Sequence, residues 1–136
     1  MEDPRKNILI IEDEQSVLKT LGDALTGAGF TTLDAKDGEQ GLKIALGSKP
    51  DLILLDILMP KVDGITMLKR LREDPWGKNV PVIILTNVNP DSNAAINAVV
   101  DTQPAYYLIK SDIKLEDVIE KVKQVLKLEK PPTSLG

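Results

Sequence analysis

The chain predicts an α/β domain with an open parallel sheet on three observations: short unbroken apolar runs, stretches of helical periodicity between them, and turn residues at the junctions. Ile8 to Ile11, Leu52 to Leu55 and Val82 to Leu85 are continuous apolar runs, as strands covered on both faces require. Thr31 to Ala35 and Tyr106 to Ile109 are weaker strand candidates. Between the runs, Val17, Leu21, Ala24, Leu25 and Ala28 recur at helical spacing, as do Leu42, Ala45 and Leu46, and then Ile65, Leu68 and Leu71. Leu115, Val118, Ile119, Val122, Val125 and Leu126 make one apolar stripe on a last helix. Asp37 and Gln40 read as a capping pair, Asp63 as the cap of the helix holding Leu68, and Gly29 as a left-handed stop before Phe30. A short helix within 90–99, after Pro90 and carrying Ala94, Ala95 and Ala98, completes five strands alternating with five helices. Right-handed crossovers then place a ligand beyond the carboxyl ends of the strands.

With 136 residues, the chain has the size of one domain. An apolar fraction of 42% with 28% charged residues suits a packed globular domain and excludes a disordered, collagenous or coiled-coil chain. The net charge of −4 argues against nucleic acid or an anionic membrane as a partner recognised through the overall field. Without Cys or His there is no disulfide, thiolate nucleophile, imidazole base or zinc site of the usual kind, so any chemistry rests on carboxylates, hydroxyls and Lys. No apolar run approaches the ~20 residues of a membrane span, no signal peptide is visible, and a cytoplasmic location is expected. Residues 1–6 read as a lead, and 129–136, with Pro131 and Pro132, as a tail or the start of a linker.

The carboxyl ends of the strands carry the informative residues. The first run ends in Glu12 and Asp13, the third strand in Asp56, the fourth in Thr86 and the fifth in Lys110. Each alone has an ordinary reading: solvated loop ends or caps for Glu12 and Asp13, a strand residue for Thr86, a snorkelling lysine for Lys110. Asp56 differs, because it follows four apolar residues and is a charge at the mouth of the core. Two carboxylates ~4 Å apart repel by roughly 4 kcal/mol at an effective dielectric of ~20, so three of them call for a cation. All-oxygen ligands favour magnesium, manganese or calcium, and a few carboxylates with waters and a phosphate suit magnesium best.

In this order, Ile11-Glu12-Asp13-Glu14, Leu54-Leu55-Asp56-Ile57-Leu58-Met59-Pro60 with Asp63-Gly64, Ile84-Leu85-Thr86 and Tyr107-Leu108-Ile109-Lys110 resemble the receiver domain of two-component response regulators. The likeness spans roughly residues 7–128 and points to the single-domain, chemotaxis type. It implies a flavodoxin-like, doubly wound five-stranded sheet of order 2-1-3-4-5 and a phosphorylation-dependent signalling switch, not an enzyme acting on a separate substrate. By this resemblance Asp56 is the phosphoacceptor, a carboxylate nucleophile toward phosphohistidine on a sensor histidine kinase or histidine phosphotransfer protein. Asp13, Asp56 and the main-chain carbonyl of Leu58 would ligate magnesium, or manganese in its place, with Glu12 acting directly or through water. Lys110 would pair with a phosphoryl oxygen, Thr86 would move inward to bond the phosphoryl group, and Tyr107 would turn inward with it. The change would be read by a downstream protein on the face of the fourth helix, fifth strand and fifth helix, through which a monomer could also pair weakly.

Several positions depart from that family's pattern. Lys110-Ser111 stands where the family has Lys-Pro, Asn87 follows Thr86 where a small residue is usual, and Gln103-Pro104-Ala105 replaces a Gly-Ala step. Asn87 is expected to narrow access to Asp56. Two other functions stay open: a magnesium-dependent phosphatase or phosphotransferase using Asp56, which Leu58 disfavours by standing where such enzymes carry a second acid, and a receiver-like interaction module that is never phosphorylated. Lys121, Lys123, Lys127 and Lys130 are expected on a solvated face, and Trp76 in a packing role at the far end of the sheet. Leu58 and Val88, two residues past Asp56 and Thr86, are apolar and cannot orient a hydrolytic water. A phosphorylated form is therefore expected to lose its label slowly, with Leu58→Asn hastening the loss; a half-life of seconds that Leu58→Asn leaves unchanged would contradict this.

Overall fold

A computed structural model describes residues 5–57, 64–87 and 104–126. The strands are β1 (Asn7–Ile11), β2 (Thr31–Ala35), β3 (Leu52–Leu55), β4 (Val82–Thr86) and β5 (Tyr106–Ile109). The described helices are α1 (Gln15–Gly27), α2 (Gly38–Ser48), α3 (Gly64–Glu73) and α4 (Leu115–Val125). All neighbouring strands pair in parallel, in the order β2-β1-β3-β4-β5. The helix expected within 90–99, the Asp63 cap, the Leu58 carbonyl, Val88, Gln103, Lys127, Lys130 and the tail lie outside the described residues.

Strand order explains why the five strands differ in legibility. β1, β3 and β4 are central and bury both faces, so successive residues alternate between two cores and polar residues stand only at strand ends, Asn7 in β1 and Thr86 in β4. Leu9, Ile11, Ile53, Leu55, Val82 and Ile84 join α2 and α3 in one core. Ile8, Ile10, Leu52, Leu54, Ile83 and Leu85 join α1 and α4 in the other. The weaker candidates, β2 and β5, are the two edges and are only half-buried along most of their length.

The helices correct the expected stripes in detail. α1 buries Leu18 together with Leu21 and Leu25, although Leu18 lies outside the periodic set. α2 turns Gly41 and Ala45 to the sheet and leaves Leu46 36% exposed. The reason is distance: a Cβ on Gly41 would come within 2.5 Å of the Ile11 Cδ1, so only small residues let α2 pack this closely. In α4, Val118 and Val122 carry the burial, whereas Leu115 at the head of the stripe is 37% exposed. Lys121 is not merely solvated, since its ammonium lies 4.8 Å from the centre of the Tyr106 ring. Trp76 is half-buried and packs on the α2/α3 core as expected. Asp37 Oδ1 accepts from the Gln40 N–H at 2.8 Å, while Gln40 Oε1 accepts from the Lys36 N–H. Gly29, at φ 100°, occupies the left-handed region that ends α1.

Gly64 begins α3 directly against the end of β3. A Cβ there would lie 2.4 Å from Ile57 Cα and 2.6 Å from the Asp56 carbonyl oxygen, both main-chain atoms that cannot swing aside. Gly64→Ala is expected to destabilise by about 2 kcal/mol or more through overpacking. Gly47→Ala, in α2 with open space around its Cβ, should stabilise by about 0.5 kcal/mol through helix propensity. Urea midpoints of the two variants check both signs.

Candidate functional site

Glu12, Asp56 and Lys110 each stand one step past a strand end, where a hydrogen bond to the neighbouring strand holds the main chain, and Thr86 is the last residue of β4. The Glu12 N–H donates to the Ala35 carbonyl at 2.9 Å, the Asp56 N–H to Ile11 at 3.0 Å and the Lys110 N–H to Thr86 at 2.9 Å. Parallel strands that end together thus bring Glu12, Asp56, Thr86 and Lys110 to one edge of the sheet.

Asp56 is 6% exposed and is held on both carboxylate oxygens. Thr86 Oγ1, fully buried, donates to Oδ1 at 2.6 Å, and Lys110 Nζ donates to Oδ2 at 3.0 Å. Thr86 is therefore already turned inward in this structure. Glu12 is 2% exposed and forms a second ion pair with Lys110 through Oε1. Its Oε2 accepts from the Glu14 N–H at 3.0 Å. Asp13 is exposed beside them, and one carboxylate oxygen from each of Glu12, Asp13 and Asp56 lies within 4.8 Å of the others. An all-oxygen donor set of this size and charge fits magnesium. Tyr107 is half-buried against the α2/α3 core. Burial and then the charge of Asp56 raise its phenol above the ordinary tyrosine value.

Asn87 is exposed, and its Oδ1 accepts from the Ser111 N–H at 3.0 Å instead of reaching over Asp56. Sequence reading singled out Asn87 and Ser111 separately and missed that they meet; their joint departure from the family pattern was the available signal. Lys110 also borders a cleft of about 310 Å³ between α1, β4 and α4, which Leu85, Leu115 and Val118 line. The cleft accounts for the exposed Leu115 and lies beside the carboxylates, not among them.

Burial raises the Glu12 carboxyl above the ordinary glutamate value of 4.5; the hydrogen bonds from Lys110 and the Glu14 N–H oppose this, and the Asp56 charge adds to it. Burial also works to lower the Lys110 ammonium, but its hydrogen bonds to Glu12 and Asp56, with both charges, leave it above the ordinary lysine value of 10.5. The two shifts differ because Lys110 faces two carboxylates, whereas Glu12 faces one ammonium and one like charge. The folded state therefore holds the Glu12 proton more tightly than the unfolded chain does. Its contribution to stability is full below about pH 4.5 and is lost as pH rises through the raised folded value. In metal-free buffer, the urea midpoint of the wild type relative to Glu12→Gln should fall from about pH 4.5 upward and then level. A difference that stays flat or rises over that window would contradict the burial cost of Glu12.

Comparison with known proteins agrees with this geometry. The family described as the response regulator receiver domain matches residues 8–123. The alkaline phosphatase synthesis transcriptional regulatory protein PhoP of Bacillus subtilis is 42% identical over 81 residues, 60% of this chain and 33% of that protein. The KDP operon transcriptional regulatory protein KdpE of Escherichia coli is 41% identical over 97 residues, 70% of this chain and 42% of that protein. The chain thus spans about a third to two-fifths of the length of these relatives. Among solved structures, the receiver domain of the Francisella response regulator 1452 superposes with a TM-score of 0.78 at 28% identity, covering 93% of this chain and all of that one. A chain from the CheX–CheY–BeF3–Mg2+ complex of Borrelia burgdorferi superposes with a TM-score of 0.77 at 28% identity, covering 89% of each. With the family match over most of its length, the order-2-1-3-4-5 sheet and an acidic pocket at the carboxyl edge of that sheet, the chain belongs to the response regulator receiver domains of two-component signalling.

Proposed function

We propose that the chain is a phosphorylatable switch in which Asp56 accepts a phosphoryl group from a histidine kinase or histidine phosphotransfer protein and signals through protein contacts. The observation that carries this reading is the grip on Asp56: a nearly buried carboxylate whose two oxygens are held by Thr86 Oγ1 at 2.6 Å and Lys110 Nζ at 3.0 Å. Such a carboxylate is oriented at the cost of its solvation, and that arrangement suits a positioned nucleophile.

In the reaction, a carboxylate oxygen of Asp56 forms a bond to phosphorus as the bond from phosphorus to the donor imidazole nitrogen breaks. Asp13, Asp56 and the Leu58 carbonyl would hold magnesium, or manganese in its place, with Glu12 contributing directly or through water. When bound, the cation supplies neutralisation of the charge on the phosphoryl oxygens. Lys110 supplies a second positive charge and exchanges its bond to Asp56 for one to a phosphoryl oxygen. Thr86 bonds another phosphoryl oxygen through its hydroxyl, and Tyr107, on the neighbouring strand, moves with it. The event is read on the face of β5, α4 and the segment before β5 by a downstream protein, with weak pairing of two copies on the same face. The complex of a related chain from Borrelia burgdorferi with CheX supports another protein as a partner. No contact with nucleic acid is proposed for a segment of net charge −4, and no helix among the described residues is long and apolar enough to cross a membrane.

Intact-protein mass spectrometry after incubation with acetyl phosphate, with and without magnesium, tests the proposal. One phosphoryl adduct is expected that requires magnesium and disappears in Asp56→Asn. A folded protein that binds magnesium and takes no label would support the unphosphorylated interaction module instead, and turnover of a generic phosphate ester would support an enzyme.

A further inference from the structure

Two departures from the family pattern meet in space. Asn87, directly after Thr86, directs its side chain to the loop after β5, where Oδ1 accepts from the Ser111 N–H at 3.0 Å. The family pattern has proline at position 111, and proline has no N–H, so the bond exists only because both positions differ together. It extends the pairing of β4 with β5 past its last main-chain bond, from the Lys110 N–H to the Thr86 carbonyl at 2.9 Å. The clamp thus lies one residue beyond each of the two groups that hold Asp56, Thr86 on Oδ1 and Lys110 on Oδ2. Asn87 and Ser111 are both exposed, so the contact adds nothing to the core. What it can do is restrain the main chain on either side of the donors. A lysine ammonium sits at the end of a long, rotamer-rich side chain and keeps its place only if its own main chain is fixed.

We propose that Asn87 is a positioning residue: by tethering the Ser111 N–H it fixes the Lys110 main chain relative to Thr86 and thereby sets the rate at which Asp56 is phosphorylated. This inference rests on the phosphoacceptor reading of Asp56. It assigns to Asn87 and Ser111 together the restraint that proline supplies in the family pattern. Of the residues assigned to magnesium, Glu12 and Asp13 follow β1 and Asp56 follows β3, so none of these lies on the two segments that the clamp joins.

Asn87→Ala, Ser111→Pro and the double variant test this through three readouts: initial rate of labelling by acetyl phosphate at saturating magnesium, magnesium affinity by calorimetry, and hydrogen exchange of the Ser111 amide by NMR. Asn87→Ala is expected to slow labelling about fivefold, speed Ser111 exchange by a similar factor and leave magnesium affinity within about twofold. In the Ser111→Pro background the same substitution should change labelling by less than about twofold, because the acceptor has no donor to hold. Asn87→Asp keeps the acceptor oxygen and should restore Ser111 protection and most of the labelling rate. Equal losses in both backgrounds, or no loss in either, would overturn the clamp, as would loss of magnesium affinity in parallel with labelling. If Ser111→Pro does not fold, the Asn87→Asp rescue decides. A wild type that binds magnesium without taking a label overturns the phosphoacceptor reading, and with it any effect on phosphorylation. The restraint on Lys110 is then decided by the ¹⁵N signal of its ammonium, which Asn87→Ala must shift or broaden.

Discussion

Glu12 and Asp56 lose nearly all their water on folding, and a single ammonium, Lys110 Nζ, lies between them. Every other feature of the site follows from that imbalance. Among the described residues, one cation against two buried anions, with the exposed Asp13 alongside, leaves an excess of negative charge at the sheet edge. The remaining lone pairs are met by neutral donors, the Thr86 hydroxyl and the Glu14 N–H, which ease burial without cancelling charge. On the proposed function, a divalent cation and a phosphoryl group would together complete such a site: the cation would answer the carboxylates, and the phosphoryl oxygens would draw Lys110 and Thr86 away from Asp56. The resting contacts thus already use the groups that the phosphorylated state would redirect.

The sheet makes this arrangement possible at a modest number of residues. In a parallel sheet with right-handed crossovers all strands finish at one edge, so residues distant in sequence become neighbours without any contact having to be invented between them. Hydrogen bonds from Glu12, Asp56 and Lys110 to the adjacent strand carry the regularity of the ladder one residue past each strand end. Asp56 has little room to move, because Gly64 returns against its carbonyl oxygen at a distance only a glycine permits. On the other side, α2 approaches β1 through Gly41 and Ala45, which seats Ile11 firmly beneath the acidic residues that follow it. Glu12 and Asp56 thus stand buried on closely packed strand ends.

Most of the fold could be read directly because burial on two faces forbids polar residues. The central strands β1, β3 and β4 show as unbroken apolar runs for that reason, while β2 and β5 read weakly as edges that face solvent in part. Helix stripes were less faithful. Periodicity finds large apolar residues: on α2 it found Ala45 but passed over Gly41 beside it on the inner face, and it enrolled Leu46, which lies at the surface. It also enrolled Leu115, which lines an open cleft beside α1. The first error arises because a helix that packs closely needs small residues, which carry no hydrophobic signal; the second because periodicity does not show where a stripe runs past the neighbouring helix into a cleft.

Local chemistry in the chain determined the element order, the parallel sheet and the set Glu12, Asp13, Asp56, Thr86 and Lys110 at strand ends, because each of these follows from patterns over a few residues. Pairing across the sheet decided the rest. That Glu12 bonds Lys110 directly, that Thr86 already faces Asp56, and that Asn87 meets Ser111 are contacts between segments 24 to about a hundred residues apart in sequence. No local pattern encodes them. They arise only when the ladder brings strand ends side by side, and for Glu12, Asp56 and Thr86 burial leaves these partners in place of water.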